Sequence, residues 1–363
     1  MDKKKFDYWL YSLPGIGKKT FIKIYEEGFS SFYLYKCDKN KLPSILSEKQ
    51  RFTILKGREK KVEDLDKAFL TLKAKKIFMA VFYEENYPKK LLEIPDAPAV
   101  LFYKGTLPLE NQKNIAIIGA RNCSEYGKYV AESFAAYFAQ NNVGVISGMA
   151  NGIDGVAQKA ALKEGGYSLG VLGSGVNVCY PSENYDLYRT LSEKGCIVSE
   201  YLPFEKASAN MFPKRNRIIS GLSDAILVVE AREKSGTLIT VEMALEQGKD
   251  VYVIPGRVTD ILSRGCNKLL AEGASVALSP EGMLNEIYGM RDFCKKENEP
   301  EKISETGKKI LSFLDVTPVH INVLQEKTGI NPEVLYVELM HMIMEEKVIQ
   351  VSNNWYQKVK VHL

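Results

Sequence analysis

The sequence predicts an α/β protein with an extended Rossmann-like, doubly wound, mostly parallel sheet. A helical module precedes this core and a winged helix follows it. Three observations carry that prediction. Between Asn114 and Ile254, short apolar runs alternate with helical stretches, as parallel βαβ units do. Several of those runs end in glycine or a small hydroxyl residue, as βα turns do. Charge and composition also change near residue 75 and again near residue 300.

The first unit, 1–75, reads as short helices of a SAM or helix-hairpin-helix-like domain. Leu13-Pro14-Gly15-Ile16-Gly17-Lys18-Lys19-Thr20 permits a tight turn with a helix starting near Lys18. Exposed amides at such a turn hold a phosphate without reading bases. Gly15, Gly17, Lys18 and Lys19 are therefore candidates for a secondary DNA site. The competing reading is a turn that only packs a small bundle. This unit carries 18 Lys and Arg against 10 Asp and Glu, a net of +8, which favours a polyanion partner.

The second unit, 76–290, has 24 basic against 27 acidic residues over 76–300, a net of −3. Any nucleic-acid site there must be local. Prolines at 88, 95 and 98 keep its first stretch extended. Val100–Gly105 reads as an added strand. Strands are then expected at 114–118, 143–147, 167–172, 196–199, 225–230 and 251–254, with helices over 125–140 and 154–163.

The third unit, 301–363, follows a charged linker at 295–302. It reads as three helices (303–314, 321–328, 331–346) and a β-wing at 348–351 and 355–359. The would-be recognition helix carries Glu333, Glu338, Glu345 and Glu346. Carboxylates facing phosphates are unfavourable, so this unit reads as a protein-contact module or an appendage.

In a doubly wound sheet, ligands gather at the carboxyl ends of the strands, and the glycine-rich turns fall there. Gly119 permits close backbone approach, Ser124 is placed to cap the next helix, and Arg121 offers a bidentate fork. Ser147 and Gly148 open a second turn. Gly173, Ser174 and Gly175 make a third, followed by Tyr180-Pro181. Ser235 and Thr237 stand at another helix start. The run Phe212-Pro213-Lys214-Arg215-Asn216-Arg217 is the most informative. It sets an aromatic ring beside Lys214, Arg215 and Arg217, with Asn216 able to bond phosphate, sugar or base. Single-strand binders combine these features, stacking at about 1–3 kcal/mol per base on top of backbone charge. The bland alternative places Phe212 in the core and pairs one arginine with a carboxylate such as Glu230.

The three histidines, 320, 341 and 362, all fall in the last unit. The core therefore lacks an imidazole base, a Ser-His-Asp set and a His-based metal site. No Walker loop is present, and no cofactor is implied. The expectation is binding, not catalysis. No run of eighteen apolar residues suggests a membrane span. The six isolated cysteines and the absence of a signal-like leader point to the cytoplasm.

In order, GARNCSEYG from Gly119, SGMANGID from Ser147, LGSG from Leu172 with Tyr180-Pro181, Ser199-Glu200, FPKRNRIISGLS from Phe212, SGTLIT from Ser235 and GCNKLL from Gly265 resemble the DNA-processing protein A (DprA/Smf) family over roughly 80–285. The resemblance implies a dimeric core that binds single-stranded DNA and loads the RecA recombinase during natural transformation and recombination. It places Arg121, Ser124, the Gly148 loop, Phe212, Arg215, Asn216 and Arg217 around the pocket, with Gly173, Ser174 and Gly175 as its floor. Ser182 and Glu183 stand where members often have lysine after Tyr-Pro.

Two rivals belong to other function classes. One is a nucleoside-monophosphate phosphoribohydrolase, for which Gly236-Thr237 and Glu242 are present but the Pro-Gly-Gly lead is missing. The other is a Rossmann-like sensor of mononucleotides.

Overall fold

The structure is a computed structural model that describes residues 3–289, 304–315, 317–344 and 347–359. The linker at 295–302, Glu345, Glu346 and His362 lie outside the described residues.

The first five helices are α1 (Lys4–Tyr11), α2 (Lys18–Glu26), α3 (Ser31–Lys36), α4 (Glu48–Gly57) and α5 (Val62–Ala74). The core follows as β1 (Phe78–Val81), β2 (Val100–Gly105), β3 (Asn114–Ile118), α6 (Glu125–Gln140), β4 (Gly144–Ser147), α7 (Ile153–Lys163), β5 (Ser168–Val171), α8 (Tyr185–Lys194) and β6 (Cys196–Ser199). It ends with α9 (Met211–Gly221), β7 (Ala225–Val228), α10 (Gly236–Glu246), β8 (Asp250–Val253), α11 (Arg264–Ala271), β9 (Ser275–Val276) and α12 (Pro280–Tyr288). The strands form one nine-stranded sheet in the order β1-β2-β6-β5-β4-β3-β7-β8-β9. Pairing from β6 through β9 is parallel, and β2 adds antiparallel to β6. The edge strands β1 and β9 escape the sequence pattern. β9 has only two residues, and β1 borrows its apolar neighbours from the helical module.

Alternation along β3 explains the layers. Ile115 and Ile117 face α6 and α7, packing with Phe134, Phe138 and Ile153. Ala116 and Ile118 face the other side, with Ile218 and Val241 of α9 and α10. Helices on both faces make the parallel strands fully buried, hence their continuous apolar runs.

The helical module does not stand apart from the sheet. Phe6, Trp9, Leu10, Phe21 and Ile24 share one apolar cluster with Met79, Val81, Val100 and Phe102 of β1 and β2. The buried Asp7 carboxylate accepts hydrogen bonds from the Tyr25 hydroxyl and, at 2.8 Å, from that of Tyr83. Burial raises the Asp7 pKa, partly opposed by these hydroxyl bonds.

The last unit comprises α13 (Glu305–Leu311), β10 (Val319–His320), α14 (Ile321–Thr328), α15 (Pro332–Met344), β11 (Val348–Ser352) and β12 (Trp355–Lys358). Its three strands form an antiparallel sheet in the order β10-β12-β11. Ile310, Leu324, Leu335, Leu339 and Tyr356 form its core. No described helix is long and apolar enough to cross a membrane.

Candidate nucleic-acid interface

Strand order reverses about β3, which pairs with β4 on one side and β7 on the other. Loops diverging from such a switch point leave a crevice at the carboxyl ends. Here the crevice is a cavity of about 620 Å³. The loop after β3 contributes Gly119, Ala120, Arg121 and Asn122, and the loop after β7 contributes Arg232 and Ser235. Helix α9 lends Phe212, Arg215 and Asn216, the start of α10 lends Gly236 and Thr237, and Tyr180 stands at the side. Arg121 and Arg232 are exposed, and neither makes an ion pair with a described residue. Two free guanidinium groups on facing loops suit an anion. The α10 N-terminus lies on the same wall. Its N-cap, Ser235, makes no side-chain cap, and its hydroxyl is buried without a partner.

The aromatic part is a pair. Tyr180 is 51% exposed, and its ring centroid lies 5.2 Å from that of Phe212, tilted by 37°. Phe212 is half-buried because it rests on Gly173, where a Cβ would come within 2.6 Å of the ring. The bare glycine therefore seats the aromatic shelf.

Arg215 holds the floor, and little of it is free for a strand. It is 5% exposed. Its Nη1 donates to the Gly148 carbonyl at 2.8 Å and to that of Val171, and its Nε donates to Asn216 Oδ1 at 3.0 Å. Burial pushes its pKa down to about 10, opposed by nearby Asp154, so it stays charged at neutral pH. Burial raises the Asp154 pKa, while Arg215 and the Gly148 amide favour the carboxylate. Gly148 is bare because a Cβ would stand 2.4 Å from Arg215 Nη2.

Arg217 does not line the cavity. Its guanidinium grips Glu200 with two bonds of 2.7 and 2.6 Å, and its Nε meets Asp96 at 3.1 Å. An arginine–carboxylate pair was the bland reading of this run, and the partners are Glu200 and Asp96. Glu230 instead accepts from the Ser124 amide at 2.9 Å and from the Ser124 hydroxyl. Ser124 caps α6, its oxygen accepting from Gly127 N at 3.0 Å, and its proton is committed to Glu230. The Ser147 hydroxyl donates to Ile117 O at 2.6 Å, and that of Ser174 to Val178 O at 3.0 Å. Close backbone contacts fill the space beside Gly175 and Gly119, where a Cβ would meet Leu202 O at 2.1 Å and Ile153 at 2.7 Å respectively. Lys214 is exposed on α9, outside the cavity wall. Of the thirteen residues predicted for the pocket, Gly119, Arg121, Phe212, Arg215 and Asn216 come together around it.

The predicted secondary site is a real turn between α1 and α2. Gly15 adopts φ +80°, and Gly17 is the N-cap of α2. The Lys18 ammonium is nevertheless bound to Asp96, the same carboxylate that Arg217 meets, and the Gly15 carbonyl accepts from Gln50. Lys19 remains exposed.

Sequence reading left Arg232 and Tyr180 out of the site. Arg232 sits in an Arg-Glu-Lys stretch that reads as an ordinary solvated loop, and only the fold of β7 turns it toward Arg121. Tyr180 was legible as part of a motif, without a role. Glu242, which the phosphoribohydrolase reading requires, is exposed on α10 and does not line the cavity.

Fold and site together define a class: a doubly wound α/β protein with a cationic, aromatic-edged cavity at its switch point, suited to a phosphorylated ligand carrying bases. Residues 78–288 match the DNA recombination-mediator protein A family, and the chain belongs to that family. It is 40% identical over 223 residues to DNA processing protein DprA of Streptococcus pneumoniae, covering 61% of this chain and 79% of that one. It is 40% identical over 204 residues to DprA of Bacillus subtilis, covering 56% and 69%. The X-ray structure of the S. pneumoniae protein superposes with a TM-score of 0.68 at 33% identity, covering 80% of this chain and 99% of that one. A Helicobacter pylori DNA processing protein A, described for its single-stranded DNA binding mode, gives a TM-score of 0.53 at 28% identity, covering 58% and 94%.

Proposed function

We propose that the carboxyl-edge cavity binds single-stranded DNA. Phosphates lie between Arg121, Arg232 and the α10 N-terminus, and bases stack on Tyr180 and Phe212. The observation that carries this reading is the pair of unpaired arginines facing each other beside an exposed aromatic shelf. A cavity for a lone mononucleotide needs no shelf outside it. The H. pylori relative's single-strand binding mode supports the same reading. Arg215, Ser124, Ser147, Gly148 and the Gly173–Gly175 turn then act by shaping the site, and Lys214 extends its basic rim.

The wider role follows from family membership. The protein shields incoming single strands in the cytoplasm and loads the RecA recombinase onto them during transformation or recombination, without catalysing a reaction of its own. We place strand binding in 76–290, a weaker second grip at Lys19 and the hairpin turn within 1–75, and protein contacts in 301–363. The homodimer would use the β9 edge, where Val276 and Leu278 are 46% and 76% exposed.

Oligomer length and salt test the strand reading. Affinity is expected to rise from dT to a twenty-mer and to fall linearly with salt on logarithmic axes, with a slope of about −0.7 per phosphate held. Equal binding of dT and the twenty-mer would favour a mononucleotide sensor. Free base released from AMP would make the protein an enzyme.

A further inference from the structure

Arg215 fixes more than the floor of the cavity. Its Nε donates to Asn216 Oδ1 at 3.0 Å, and an N–H donor meets only the oxygen end of a carboxamide. Arg215 cannot swing away, because its Nη1 is held by the carbonyls of Gly148 and Val171. The Asn216 amide is thereby locked in one of its two flips. Its oxygen faces the buried guanidinium. Its NH2 group makes no hydrogen bond to a described residue and is not sealed from solvent. Because Asn216 lines the cavity beside Phe212, that NH2 is offered to whatever stacks there. The neighbouring polar groups are committed elsewhere. The Thr237 hydroxyl donates to Gly119 O at 3.3 Å, and the Asp154 carboxylate accepts from Gly148 N at 3.0 Å.

Bases differ in what they present to a fixed donor. Thymine O4 and guanine O6 are acceptors, whereas cytosine and adenine carry an amine at the equivalent position. A locked amide donor meets the first two as a hydrogen bond and the last two donor to donor. We propose that Asn216, oriented by Arg215, is the specificity-determining residue of the cavity and selects keto bases, thymine and guanine, over amino bases. The proposal rests on the strand-binding reading and adds a sequence preference to it.

The test compares oligomers of thymidine and of 5-methyldeoxycytidine on the full chain. Their bases have the same ring and methyl group and differ in the group at position 4 and the N3 proton that accompanies it. The wild type is expected to bind the thymidine oligomer roughly fivefold more tightly, the scale of one neutral hydrogen bond. Asn216→Asp keeps an oxygen for Arg215 and replaces the donor by an acceptor. It should weaken both complexes through charge and abolish or invert the ratio. Equal wild-type affinities, or an unchanged ratio in Asn216→Asp, would overturn the proposal. The wild-type comparison stands alone if the variant does not fold. Binding of both oligomers without discrimination sinks the base preference only, whereas binding of neither sinks the strand reading as well.

Discussion

Arg121→Glu and Arg232→Glu are each expected to weaken single-strand binding by roughly tenfold or more, and their combination should bring it near background. Each replacement removes a phosphate-facing cation and sets a carboxylate in its place. Both side chains are exposed and have no ion-pair partner among the described residues, so neither change removes a contact the fold needs. The melting temperature should therefore stay within a degree or two of the wild type, since surface changes of this kind fall within about 0.5 kcal/mol. The salt slope should fall by about one for each arginine lost. Fluorescence anisotropy at several salt concentrations reads both quantities. An unchanged affinity with a normal melting curve would put the strand elsewhere, with the hairpin turn at Gly15–Lys19 the first place to look.

Arg215→Met should act in the opposite register, on stability before binding. The guanidinium bridges the carbonyls of Gly148 and Val171, holds Asn216, and sits beside the buried Asp154 carboxylate. Methionine fills similar volume yet leaves two buried carbonyls and one buried carboxylate without a cation. Breaking a buried charged arrangement from one side costs about 3–5 kcal/mol. Denaturant unfolding should show a loss of that order at pH 7. The loss should shrink in acid. The folded-state pKa of Asp154 is raised by burial, so that carboxyl takes up a proton earlier in the folded variant than in the unfolded chain, and protonation relieves the orphaned charge. A variant as stable as the wild type would mean that Arg215 is free to serve DNA directly, as its sequence suggested.

These two arginines show where sequence reading succeeds and where it stops. The strands and helices of the core were legible because burial on both faces writes continuous apolar runs, as in Ile115–Ile118 and Ala225–Val228. The location of the site was legible too, because glycine turns mark the carboxyl ends of parallel strands. The division of labour among cations was not. Arg215 and Arg217 lie two residues apart on α9 and both point inward, one to carbonyls beneath the cavity and one to Glu200 and Asp96. Nothing local distinguishes them from Lys214, which points out. Partners that arrive from 17 and 121 residues away in sequence decide the matter. The serines tell the same story. A hydroxyl at a βα turn reads as an anion ligand, yet Ser147 and Ser174 spend theirs on nearby carbonyls and Ser124 on Glu230. Arg232 was missed because a loop of mixed charge carries no periodicity, and only the pairing of β7 with β3 sets it opposite Arg121.

Photocrosslinking offers the most direct test that a strand lies in the carboxyl-edge cavity. A 5-iodouridine-substituted single-stranded twenty-mer, bound to the full chain, irradiated and mapped by mass spectrometry, should attach to Tyr180 or Phe212. An excess of unlabelled single strand should suppress the adducts, and duplex of the same length should not. Adducts confined to residues 1–75 or 301–363, with none at the aromatic pair, would contradict the assignment of the cavity.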